Sequence, residues 1–228
     1  MLLIVKRLLR LLYIPLLVAC GSYVSIHVLQ HSEWYKTKLY RQLLRGNHQQ
    51  QLEAASALAQ FGGQQQLLAG LQSDLPEIRD LARRALEYSW FHAAGNEAHQ
   101  ILEKAYQASE ADDFQTALRL LDGLIRKFPN FAEGWNRRAS VYWQMDEYKK
   151  SISDCEKALA LNPNHYGAWQ GLGVCQVRLG DLVEACHSLR AALKIVPHDE
   201  STRRCLEQCE ELLKKIKGRD RTGQVDVI

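Results

Sequence analysis

The chain has 228 residues, 46% of them hydrophobic and 24% charged, with a formal charge of +3. That length suffices for one or two globular domains. Nucleic acid is excluded as a partner, because no run of Lys or Arg reaches the density that follows a phosphate backbone. After residue 35 Leu, Ala, Gln, Glu, Lys and Arg dominate, and no hairpin dipeptide separates alternating runs, so the fold class is all-α.

Residues 1–30 differ in kind from the rest and read as a membrane anchor or signal segment. Lys6, Arg7 and Arg10 form a basic start, and from Leu11 to Leu29 there is no Asp, Glu, Lys or Arg. As a helix that stretch reaches about 28 Å, close to the hydrocarbon thickness of a bilayer. Leu17-Val18-Ala19-Cys20 resembles a bacterial lipobox, and the resemblance implies lipidation at Cys20 after cleavage. An ordinary secretory signal or a buried helix would look similar. A single N-terminal span is favoured over the lipoprotein, because apolar residues continue past Cys20, and it makes the expected localisation membrane-anchored. Lys6, Arg7 and Arg10 before the stretch balance Lys36, Lys38, Arg41 and Arg45 after it, so the side of the membrane is not fixed.

Residues 31–47 are a basic amphipathic linker or helix, lying either on a membrane surface or as the first helix of the next domain. Residues 48–95 read as helical hairpins. Leu52, Ala54, Ala55, Leu58 and Phe61 share one face, and Gly62-Gly63 ends that helix. Pro76 suits the first turn of a further helix, capped by Asp74, along which Ile78, Leu81, Ala82, Ala85 and Leu86 recur at helical spacing. Asp74, Pro76, Ile78 and Arg79 stand in an order that resembles the HEAT repeat family.

From residue 98 the chain repeats itself. Pro129, Pro163 and Pro197 are 34 residues apart; so are Ala105, Ala139 and Gly173, and so are Phe114, Tyr148 and Leu182. The registers are 98–131, 132–165 and 166–199. Small residues let the helices of a hairpin approach, and Trp135, Tyr142, Trp169 and Leu172 fill the space between hairpins. Asp112-Asp113, Asp146-Glu147 and Gly180-Asp181 make the inner turns. In the middle unit Trp135, Ala139, Tyr142, Tyr148, Ala158 and Pro163 closely resemble the tetratricopeptide repeat (TPR) pattern. The third unit matches through Trp169, Leu172, Gly173, Ala185, Ala192 and Pro197. The first departs at Ile101 and Ala108, as a terminal unit often does. Arg138 replaces the usual Leu, which suggests a partly solvated face. A capping helix over 200–217 completes a domain spanning 98–217, and residues 218–228 read as a disordered tail. The expected architecture is thus an α-solenoid of helical hairpins, HEAT-like then TPR, behind an N-terminal membrane segment.

The chain lacks a phosphate loop, an HExxH, a GxSxG and any CxxC pair. No enzyme, cofactor or metal site is therefore expected. Cys155 and Cys186 fall at packing positions, and His165 reads as a surface turn residue.

The TPR resemblance implies a groove lined by the first helix of each unit. Carried onto this chain, the partner-binding candidates are Leu102, Tyr106, Asn136, Ser140, Trp143, Gln144, Gln170, Val174 and Arg178. Asn136 and Gln170 would hold a peptide by hydrogen bonds while Tyr106 and Trp143 make apolar contacts; Trp143 packed on a neighbouring turn is the alternative. Family members that grip chaperone carboxylate tails use Lys, Asn and Arg where this chain has Leu102, Tyr106, Gly167 and Gly171, so that clamp is not expected. The function implied is a membrane-tethered adaptor or scaffold whose groove binds a protein or peptide. A self-assembling structural subunit and a regulatory module of a separate enzyme are the alternatives.

Overall fold

The computed structural model describes the backbone of residues 28–222 and the side chains of 28–217. The apolar stretch up to residue 27, with Cys20, and residues 223–228 lie outside the described residues. Among the described residues no helix is long and apolar enough to cross a membrane. The membrane-anchored localisation, and the span written into the expected architecture, are corrected accordingly. The physical reason is helix by helix: the most apolar of them, Tyr166–Leu179, has 14 residues, about 21 Å against a hydrocarbon core of about 30 Å. The longest, Glu200–Thr222 with 23 residues, is studded with charge.

The described residues form two compact units, divided between Leu86 and Glu87. In the first, α1 (Glu33–Arg45), α2 (His48–Gln60), α3 (Gln64–Gly70) and the start of α4 (Pro76–Phe91) follow one another through short turns. Ser32 caps α1 by accepting from the Tyr35 N–H at 3.2 Å, and Asn47 and Gln50 close a reciprocal capping box on α2. Leu39 and Leu43 bury one face of α1, so residues 31–47 pack as a helix of this unit. Gly62, at φ +75°, turns the chain out of α2, and the Gly63 N–H closes on the Leu58 carbonyl at 2.7 Å. Gly70 is needed for a close approach: a Cβ there would meet the Ala82 Cβ at 2.8 Å. Pro76 opens α4 as expected. The carbonyls of Ser73 and Asp74 take hydrogen bonds from the Arg79 guanidinium, each 2.9 Å.

In the second unit, three hairpins follow: α5 (Gly95–Glu110) with α6 (Phe114–Lys127), α7 (Ala132–Gln144) with α8 (Tyr148–Leu161), and α9 (Tyr166–Leu179) with α10 (Leu182–Ile195). Then comes α11 (Glu200–Thr222), packed on α10. It runs past Gly218, where a disordered tail was expected, because nothing between Leu212 and Thr222 breaks a helix except a single glycine.

The 34-residue period is visible as repeated bonds. Asp112, Asp146 and Gly180 all sit in the left-handed region, with φ of 57°, 59° and 84°. The next residue in each turn donates back to Ala108, Tyr142 or Gln176, at 2.9 Å in all three cases. The joints between units repeat too. The Trp135 indole donates to the Pro129 carbonyl and that of Trp169 to Pro163, both at 2.9 Å. One period further on, Arg203 donates to the Pro197 carbonyl.

Only one of the three turns uses glycine, the residue that takes a positive φ without steric cost. Asp112→Gly is therefore expected to raise stability by about 0.5 kcal/mol, the relief of strain being partly offset by a freer unfolded chain. Urea unfolding of the two proteins side by side measures it.

Candidate functional site: a groove along the first helices

The first helices of the three repeats, α5, α7 and α9, share a groove with two depressions. The larger, 290 Å³, lies between α7 and α9. It is lined by Asn136, Ala139, Ser140, Trp143 and Gln144 from α7, by Gly167, Gly171 and Val174 from α9, and by Ser151 and Cys155 beneath. A shallower one of 70 Å³ lies between α5 and α7, with Tyr106, Ser109 and Glu110 facing Arg137, Ser140 and Gln144. Ser140 and Gln144 line both, so the two adjoin along α7.

Six of the nine residues implied by resemblance meet here: Tyr106, Asn136, Ser140, Trp143, Gln144 and Val174. Tyr106 is 50% exposed and Trp143 40%. The Ser109 hydroxyl donates to Gln144 Oε1 at 2.6 Å, so the N–H₂ is the donor end of that side chain.

The other three are placed differently. Leu102 is 1% exposed, inside a cluster that Phe91 and Ala94 help to cover, so residues ahead of the first repeat take its face. Gln170 donates to Thr202 Oγ1 at 2.7 Å and Asp199 Oδ2 at 3.2 Å, so its amide ties α9 to α11. Arg178 is exposed and lines neither depression.

A buried network supports the groove wall. Glu133, 3% exposed, accepts from Arg137 Nε at 2.5 Å and from His165 Nε2 at 2.8 Å. The Ala168 N–H donates to His165 Nδ1 at 3.2 Å, capping α9, so the imidazole presents its Nε2–H to Glu133. Burial alone would push the Glu133 carboxyl up. The His165 hydrogen bond and the Arg137 charge outweigh it and hold the group below the usual glutamate range. The Trp90 ring stacks on His165 at 4.7 Å, and Arg137 lies 4.5 Å over the Phe91 ring. His165 is thus an interior strut and not the surface turn residue expected, because an acid 32 positions earlier gives its ring a partner.

Arg138 likewise is not on a solvated face. It grips Asp154 with two bonds, 2.7 and 2.8 Å, reaches Asp122 at 2.7 Å, and lies 5.0 Å over the Trp135 ring. One guanidinium so joins α6, α7 and α8. The Asp154 hydrogen bonds raise its pKa further despite partial burial.

Cys155, at the bottom of the larger depression, is almost wholly buried, and that burial pushes its thiol up to about 12. It is expected to resist iodoacetamide at pH 8 until the protein unfolds, while the half-buried Cys205 reacts first among the described cysteines. Mass-spectrometric site mapping over a labelling time course checks this.

The tetratricopeptide repeat model matches residues 132–165 and, in a second version, 155–187. A TPR repeat-containing protein of Rhizobium etli is 30% identical over 143 residues, 63% of this chain and 69% of that protein. The chain belongs to the tetratricopeptide repeat family. Tetratricopeptide repeat protein 33 of Homo sapiens is 24% identical over 61% of this TPR chain, which spans 60% of that relative's length. Among solved structures, the Sgt2 TPR domain of Aspergillus fumigatus superposes with a TM-score of 0.51 at 19% identity, over 58% of this chain and 87% of that one. The first TPR of Spaghetti (RPAP3), bound to an HSP90 peptide, gives 0.50 at 22% identity, over 51% and 93%. At these identities the likeness concerns the TPR fold alone.

Sequence reasoning missed Arg137, Ala139, Ser151 and Cys155 as parts of the groove. Only their place in the 34-residue register offered a signal, since small or half-buried residues beneath a groove look like any hairpin packing.

Proposed function

We propose that this TPR protein is a protein-interaction adaptor whose groove holds an extended peptide segment of a partner. The observation that carries the reading is the pair of adjoining depressions along α5, α7 and α9. There two aromatic side chains stay exposed, and Ser140, Gln144 and Asn136 offer hydrogen bonds at its surface. An extended segment supplies a carbonyl and an N–H at each residue, which such amides and hydroxyls match. Binding rather than catalysis fits a site whose lining carries a single carboxylate, Glu110, which is exposed to solvent.

A chaperone tail ending in a carboxylate is not the ligand we propose. The larger depression has no Lys or Arg in its lining, and Arg137 in the shallower one is already paired with Glu133. A free carboxylate moved there would lose its water without gaining a cation.

The test is a selection of random displayed peptides on the full-length protein. Selected peptides are expected to lose binding by more than about tenfold when Trp143→Ala and Asn136→Ala are combined. Unchanged binding by that double variant sinks the groove reading.

A further inference from the structure

The larger depression owes its depth to two glycines. Gly167 and Gly171 stand one turn apart on α9, where a side chain would project between α7 and α9. Neither needs a positive φ. A Cβ on Gly167 would meet only the His165 ring, at 3.5 Å, which is ordinary contact. A Cβ on Gly171 would lie 3.2 Å from Cys155 Sγ, so the thiol would have to give by a few tenths of an ångström. Glycine in a helix weakens it relative to alanine. At Gly167 the fold does not demand that cost, and at Gly171 it demands it only weakly. What the pair does is keep space open beside Trp143.

The lining of that space is uncharged. Trp143, Val174 and Ala139 give apolar surface, while Asn136, Ser140 and Gln144 give amide and hydroxyl groups. The Cys155 thiol beneath stays protonated, since burial lifts it to about 12. A charged group entering here finds no counter-ion and leaves its water behind. At 290 Å³, the space is at the lower end of the about 300–1,000 Å³ typical of small-molecule clefts. It suits one side chain and not a whole cofactor.

We propose that the pocket over Gly167 and Gly171 receives one uncharged, leucine- to phenylalanine-sized side chain of the bound peptide. This rests on the reading of the groove as a peptide site. The anchor inserts beside the Trp143 indole, and the Asn136 and Gln144 amides hold the peptide backbone on either side of it. Asp, Glu, Lys and Arg are rejected at that one position and tolerated at its neighbours.

The experiment is the displayed-peptide selection on the full-length protein, followed by titration of a synthetic winner against wild type and Gly167→Leu. The new leucine fills the pocket, and its Cβ makes no close contact, so the thermal midpoint is expected to hold. Selected peptides are expected to share Leu, Ile, Met or Phe at one fixed position. Alanine there weakens binding by about tenfold and aspartate by more. Gly167→Leu costs about tenfold or more with the wild-type peptide. Selected peptides without an apolar position, or binding unaltered by Gly167→Leu, overturn the anchor. In that case loss of binding by the Trp143→Ala, Asn136→Ala protein still supports the groove itself. A selection that enriches nothing overturns both.

Discussion

Glu133→Ala is expected to destabilise the repeat unit by about 3 kcal/mol, lowering its thermal midpoint by about 6–12 °C. The glutamate is buried, and two groups depend on it: the Arg137 guanidinium and the His165 Nε2–H. Removing one partner of a buried network strands the others, which is worse than never having built it. Arg137 is a third exposed and can turn to water, which keeps the loss near the lower end of the usual range. His165 cannot, because Trp90 is stacked on its face and its other nitrogen caps α9. The pH dependence follows from the direction of the Glu133 shift. A carboxyl held below its ordinary value of 4.5 contributes stability that is whole above that value. The contribution is lost as pH falls through the lower, folded value. The gap in thermal midpoint between wild type and Glu133→Gln should thus be constant from neutral pH to about 5.5 and shrink below about 4.5. A gap that widens on acidification would show that the carboxyl is protonated in the folded state.

The second large effect is expected at Arg138. Arg138→Leu restores the apolar residue the repeat pattern prefers, yet it should cost about 3 kcal/mol. The reason is Asp154, whose side chain is 6% exposed and loses a two-pronged partner. Asp122, nearly half exposed, simply returns to water and contributes little. Arg138→Leu combined with Asp154→Leu should recover to within about 1 kcal/mol of wild type, since leucine in both places replaces an ion pair by packing. Denaturant unfolding of the two single variants and the double one decides it. Additive losses would mean that Arg138 acts through its contact with the Trp135 ring and not through Asp154.

These two networks mark the limit of what the sequence makes legible. The hairpins, their inner turns at Asp112, Asp146 and Gly180, and the proline-bounded joints follow from period and residue size alone, because each is decided within a few residues. Glu133 and His165 are 32 positions apart, and Arg138 draws on acids 16 positions to either side. Nothing local in those stretches announces the pairing. Only the stacking of units brings the groups together, so one was read as a solvated face and the other as a surface turn. Half of the groove was legible for the same reason as the turns: Tyr106, Trp143 and Asn136 are set by register. Leu102 and Gln170 were not, since Phe91 and Ala94 ahead of the first repeat and α11 beyond the third claim the two ends of the array.

The thrice-repeated joint has an engineering consequence. Trp135, Trp169 and Arg203 each fasten the start of a helix to the carbonyl of a proline six residues earlier. A duplicate of residues 132–165 spliced in after His165 would therefore meet, on both sides, a seam of the kind already present. Such a lengthened array would gain one more cassette, and with it one more depression, without redesign of its neighbours.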